Sequence, residues 1–152
     1  MYAVIRVRGH SKIKHDAVWT LRQLRLHRVN HLVLVPETDT FRHMLQVVKD
    51  YVTWGEIDDA TLRLLLSRAA ELQGGRALDE ATASSALEAL MSGRKLSDLH
   101  IKEVIRLHPP RRGWEAVKKP YASGGSLGYR GSHINELITR MIPGDVHGEQ
   151  NK

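Results

Sequence analysis

The segment from His108 to Gly131, HPPRRGWEAVKKPYASGGSLGYRG, brings five cations, three aromatics and five glycines together ahead of a helical pattern. Arg111, Arg112, Lys118, Lys119 and Arg130 can neutralise phosphates, and Trp114, Tyr121 and Tyr129 offer flat faces on which unpaired bases or ribose can stack. Gly124, Gly125 and Gly128 carry no Cβ, so their backbone N–H groups can approach a phosphate closely, and the helix start beyond them adds oriented donors. The competing reading is a solvated connection with no fixed partner. Only 5% of the chain is aromatic, and a solvated loop gains nothing by exposing such side chains, so the three rings must either pack or stack.

The same chemistry recurs in miniature in RVRGHSKIKHD, residues 6–16. Arg6 and Arg8 project from one face of a strand, Gly9 ends it, and His10, Ser11, Lys12 and Lys14 crowd the beginning of the following helix. A strongly solvated strand-to-helix turn is the alternative, but two such regions in one chain make coincidence harder to sustain. His10, His15 and His108 lie beside cations, where an imidazole suits hydrogen bonding or stacking against RNA. An enzyme acting on RNA with histidines as acid and base is the rival of another class, and it requires two of these rings to face one cleft.

Other chemistries find little support. The chain has 9 histidines, yet His27 and His31 flank what reads as a helix end, which spoils the shared-face geometry of a metal-binding pair. Nothing around Ser11, Ser123 or Ser126 supplies the base and orienting acid of a nucleophile. GGSLGYRG matches neither G-x-G-x-x-G nor G-x-x-x-x-G-K-[ST], so the lysine and hydroxyl that would hold nucleotide phosphates and magnesium are missing. The absence of cysteine excludes disulfides and thiolate metal sites. No cofactor, metal or small-molecule substrate is expected.

At 152 residues and 41% hydrophobic, the chain can bury a core of its own. Its formal charge of +6 favours a polyanionic partner, and the distribution says more. Residues 1–57 carry 9 Lys and Arg against 5 Asp and Glu, residues 58–93 carry 3 against 6, and residues 94–142 carry 10 against 4. Two basic flanks around an acidic middle suggest two contact regions on one polyanion. A strand pattern directly after Met1 and the lack of a long apolar run predict a cytoplasmic protein that is neither secreted nor membrane-embedded.

The elements that must position these residues follow from periodicity. Tyr2 to Arg8 alternates as a strand, and Lys14 to Leu26 places Ala17, Val18, Leu21 and Leu24 on one helical face. His31 to Val35 is a short strand stopped by Pro36. Thr38 or Asp39 caps a helix to about Asp50 with Phe41, Met44, Leu45 and Val48 inward, and Tyr51 to Ile57 returns to strand. This β-α-β-α-β order predicts a three-stranded sheet with two helices on one side, a two-layer α/β core over residues 1–57. Residues 58–152 supply a helical insert, with helices from Asp59 to Leu72 and from Asp79 to Met91, and a C-terminal extension. Within that extension Leu99 to Leu107 reads as a strand, Ser132 as the cap of a helix to about Ile142, and residues 143–152 as a loose tail.

Taken in order, RVRG, TLRQLRLHRVNHLVLV, an acidic insert, RLHPPRRG, KKPY, GGSLGYRG and HINELITRMI closely resemble the archaeal form of the large-subunit ribosomal protein L-thirty, counterpart of the eukaryotic L-seven, nearly to Ile142. The resemblance implies a ferredoxin-like α+β core with an antiparallel sheet, an extension that the short bacterial relatives lack, and no enzyme activity. It implies a structural role on large-subunit ribosomal RNA, the 23S molecule and the neighbourhood of 5S, beside neighbouring large-subunit proteins. By the same resemblance Arg8, Gly9, Ser11, Lys12 and Lys14, together with Arg111, Arg112, Gly124, Gly125, Gly128 and Arg130, are the positions expected at RNA. The alternative in this class is an RNA-binding regulator or processing factor acting off the ribosome.

Overall fold

A computed structural model describes residues 1–9 and 12–142 of the chain. The candidate residues His10 and Ser11 and the tail at 143–152 lie outside the described residues. The alternating N-terminal segment forms β1 (Tyr2–Arg6), which pairs antiparallel on one side with β2 (His31–Val35) and on the other with β3 (Val52–Glu56). The register sets Ile5 against Leu32 and Thr53, and Arg6 against Val52. Between the strands run α1 (His15–Gln23) and α2 (Asp39–Val47). Helix α1 stops short of the expected Leu26 because Arg25 turns left-handed, with φ 63°. Thr38 caps α2, its hydroxyl accepting from the N–H of Phe41 at 3.4 Å.

Both faces of β1 are covered, which an exposed two-layer sheet would not show. Tyr2 and Val4 pack with Ala17, Leu21, Leu45 and Val48 of the α1 and α2 layer. Ala3 and Ile5 pack on the opposite face with Leu62, Leu65 and Leu66 of α3 (Asp59–Arg68), Ala86 and Leu87 of α4 (Glu80–Met91), and Leu137 and Ile138 of α5 (Ile134–Met141). The acidic insert is therefore the lid of a second core, and its helices begin as their caps dictate. Asp58 accepts from the N–H of Thr61 and Asp79 from that of Thr82, both at 2.7 Å. The two-layer arrangement of the first 57 residues thus becomes a three-layer one, because the apolar stripes of three further helices need a surface to cover.

The sheet also outgrows the core. Its order is β4-β2-β1-β3-β6-β5, with β4 (Ile105–Arg106) antiparallel to β2 and with β6 (Gly125–Tyr129) parallel to β3 and to β5 (Ala116–Pro120). The three core strands are antiparallel, as the ferredoxin-like reading expects, and the added β6 and β5 make the whole sheet mixed. The strand expected over Leu99 to Leu107 shrinks to Ile105 and Arg106, since Leu96–Leu99 winds into a 3-10 turn and Ile101 meets only Leu72. Ser132 does not cap α5 with its side chain: residues Gly131–His133 form a 3-10 turn that leads into the helix.

Candidate nucleic-acid interface

The turn after β1 is shaped by Tyr51. The N–H groups of Val7 and Arg8 both donate to its carbonyl, at 2.9 and 3.1 Å, and its hydroxyl accepts from the N–H of Lys14 at 3.4 Å. The Arg8 guanidinium lies 5.5 Å from the Tyr51 ring centre and donates to the Asp50 carbonyl, so its charge is held at the surface with stem and head supported. Lys12 stands exposed in a left-handed conformation, φ 55°, and Lys14 and His15 are exposed at the helix start. Gly9 is open, with nothing near the position of a Cβ.

Two of the expected phosphate contacts are structural instead. Arg6 is only 2% exposed, and its guanidinium donates to the carbonyls of Arg8, Leu26 and Gly9, binding the β1 exit to the loop before β2. Arg130 is 5% exposed; it donates to Thr53 Oγ1 and to the Ser126 carbonyl, both at 2.8 Å, while lying 4.7 Å from the centre of the Tyr121 ring. Burial pushes the pKa of both guanidinium groups down. Neither can reach a phosphate without first abandoning buried carbonyls, which removes both from the candidate interface. Strand alternation and composition carry no sign of this, because the fold turns the backbone carbonyls of Arg8, Gly9 and Ser126 back onto these guanidinium groups and brings the Leu26 carbonyl and Thr53 Oγ1 to them from elsewhere in the chain.

The segment from Arg111 to Arg130 contributes β5 and β6 to the sheet. Leu127 is buried, Thr53 Oγ1 donates to the Gly128 carbonyl at 2.8 Å, and the Arg130 N–H donates to the Trp54 carbonyl at 2.9 Å. A Cβ on Gly125 would lie 2.1 Å from the Lys119 carbonyl oxygen, so this glycine admits the neighbouring strand rather than a phosphate. Gly128 is half-buried, and Gly124, at φ 87°, ends the 3-10 turn Tyr121–Ser123 in the open. Trp114 packs against the edge of the core, and Tyr121 lies between Arg130 and His133. Tyr129 is half-exposed but turns its hydroxyl onto Glu56, at 2.6 and 2.8 Å, and this bond pushes its pKa up to about 12. The rings chiefly pack.

The exposed cations collect at one end of the sheet. The β1 exit, the β2 and β3 entries and the β4 exit are adjacent there by register. They bring Arg8, Lys12 and Lys14 together with Arg28, Lys49 and Arg106, three residues that sequence reasoning did not single out. Their signal was only proximity to strand ends, and it becomes usable once β4 is known to pair with β2. The exposed His108 and Arg112 and the half-buried Arg111 join this end. The His108 N–H donates to the Met141 carbonyl, and the Arg111 N–H to that of Arg140, at the C-terminus of α5. Arg111 also donates to the Thr139 carbonyl at 3.1 Å. Lys118 and Lys119 are exposed on the edge strand β5, where lysines also discourage unwanted strand pairing.

The opposite end is acidic. Glu56 ends β3 with Asp58 and Asp59 beyond it, and Glu37 and Asp39 follow β2, with Glu37 paired to the N-terminal amine. Six strands at ~4.8 Å spacing make the sheet about 24 Å across, so the cationic end is a broad surface rather than a point.

Relatives of this chain are known. The family described as ribosomal protein L30p/L7e matches residues 2–52. "Large ribosomal subunit protein uL30" of Thermoplasma volcanium is 47% identical, covering 99% of both chains. The protein of that name from Methanococcus vannielii is 44% identical over 93% of this chain and 99% of its own. That from Thermoplasma acidophilum is 48% identical over 93% of each. The chain belongs to the uL30 family. Family membership is consistent with a structural rather than an enzymatic role, and among the described residues no cluster of histidine and carboxylate could hold a metal ion. No helix among them is long and apolar enough to cross a membrane.

Proposed function

We propose that this protein is a structural constituent of the large ribosomal subunit, where the cationic end of its sheet binds and stabilises ribosomal RNA. The observation that carries the reading is the separation of charge between the two sheet ends, with Arg8, Lys12, Lys14, Arg28, Lys49 and Arg106 at one and Glu37, Glu56, Asp58 and Asp59 at the other. Cations on a rigid frame screen phosphates that must lie close together in folded RNA, and their fixed spacing selects a shape rather than a linear base sequence. Residues 1–57 supply the central strands and the cationic turn. Residues 58–152 supply the helical cover and an arm carrying Arg112, Lys118 and Lys119 along the RNA. The partners are the 23S RNA, with 5S RNA nearby, and neighbouring large-subunit proteins on the acidic surfaces; ribosomes place the chain in the cytoplasm.

Sedimentation of the tagged protein in cell extract tests this. It should travel with the large subunit at low salt and leave it only at high salt, because several phosphate contacts make affinity fall steeply with ionic strength. Recovery wholly in the soluble pool at low salt would overturn the reading and favour a regulator acting off the ribosome.

A further inference from the structure

At the β4 edge of the cationic end, a pocket of about 370 Å³ is lined by Arg25, His27, His31, Lys102, Glu103 and Arg106, among others. Five of these six are cationic or can become so. Glu103 is engaged at 3.7 Å by Arg25, and Lys102 is 3.4 Å from Glu71. Arg106 has no ion pair among the described residues, nor has the neighbouring Arg28. His31, the first residue of β2, is half-buried, and its Nδ1 is sealed from solvent without a hydrogen-bond partner. Burial first, then Arg106, His27, Arg28 and Arg6 in turn, push its pKa down. The site thus concentrates more positive charge than it neutralises, in a concavity large enough for a phosphate and hostile to any metal cation.

We infer that this pocket binds a single backbone phosphate of RNA, with Arg106 as its direct cationic contact and the His31 ring beside it. The inference rests on the RNA-binding role proposed above and adds a contact at the β4 edge, away from the turn after β1. An anion offsets the repulsion from Arg106, His27, Arg28 and Arg6, so the imidazolium, which burial still opposes, becomes less disfavoured than in the free protein. Glu103 is the one carboxylate among the residues lining the pocket, and its ion pair with Arg25 leaves it a poor substitute for the phosphate. The Arg106 guanidinium can donate two parallel hydrogen bonds to the two non-bridging oxygens of such a phosphate, with further donors around it.

The test has two arms on the full-length protein. In the first, imidazole resonances are followed by NMR while inorganic phosphate is added at constant ionic strength. His31 should shift saturably with phosphate but not chloride, its titration midpoint should rise, and Arg106→Gln should abolish both effects while Arg106→Lys partly restores them. In the second, binding to purified large-subunit RNA is measured against salt. Arg106→Gln should lower the log-log slope by about one unit, and Arg28→Gln, also exposed, provides a second variant if the first is unstable. If the wild type binds RNA but phosphate leaves His31 unmoved and the Gln variants keep the full slope, the pocket assignment falls and the ribosomal reading stands. If the wild type fails to bind the RNA at all, the ribosomal reading falls and takes the identification of the ligand with it.

Discussion

Arg130→Met isolates what the buried guanidinium does. The substitution keeps much of the aliphatic stem but removes two donations at 2.8 Å, to Thr53 Oγ1 and the Ser126 carbonyl, and the contact with the Tyr121 ring. Hydrogen bonds from a charged donor contribute about 1.5–3 kcal/mol each, and a desolvated cation–π contact up to about 2 kcal/mol. Against these stands the relief of no longer burying a charge, worth several kcal/mol. The balance leaves a destabilisation of about 3 kcal/mol, which for a chain of this size lowers the melting temperature by roughly 6–12 °C. Urea unfolding would measure the free energy. Hydrogen exchange would locate the loss at β6 and its junction with β3, since Thr53 and Ser126 sit on those strands. Under native conditions the salt dependence of RNA binding should be unaltered. A variant of wild-type stability with a reduced salt slope would refute the reasoning and return Arg130 to the RNA-binding surface.

Replacing Lys12, Lys14 and Arg112 together by glutamine should lower the salt slope of RNA binding by about two units while thermal unfolding shifts by less than about 0.5 kcal/mol, since all three are exposed; an unchanged slope would show that these cations are merely solvated. Gly55→Ala should destabilise the fold by about 1–3 kcal/mol, because the new Cβ would meet the Gly131 carbonyl oxygen at 1.9 Å and push β3 from the turn that starts α5; wild-type stability in denaturant would contradict that packing. His31 has a folded-state pKa below its ordinary value near 6.5, so the unfolded chain takes up the proton first. Its contribution is therefore fully present above about pH 6.5 and lost as the pH falls through the lower folded value. In denaturant titrations between pH 7 and 5, His31→Gln should lose less stability than the wild type, and parallel losses would show that the ring is not disfavoured as an imidazolium.

Charge separation along the strands explains why a protein of this size can serve as a fixed cationic frame. Strand direction alone decides which chain segments meet at each end of the sheet, and here the segments that meet at one end are those carrying arginine and lysine. Helices α3 and α4, by contrast, contribute chiefly leucine and alanine to the core and keep Asp59, Glu80 and Glu88 exposed. In the RNA-binding role proposed above, their acidic surface would disfavour phosphates and leave the cationic end as the contact.

The amino-acid sequence by itself determined a strand beginning at Tyr2 and another at His31–Val35, the starts of α2, α3 and α4, and the family. Periodicity and capping act within about ten residues, so they can be read locally. Only the tertiary structure decided that Arg6 and Arg130 face carbonyls rather than phosphates, that Gly125 makes room for Lys119, and that the residues from Arg111 to Arg130 complete the sheet. It also decided that Arg28, His31 and Arg106 converge, through a two-residue pairing of β4 with β2 across more than seventy positions of chain. An arginine in an alternating pattern looks the same whichever partner it meets, and whether nearby carbonyls turn back onto it and distant groups such as the Leu26 carbonyl and Thr53 Oγ1 reach it depends on the packing of the whole core.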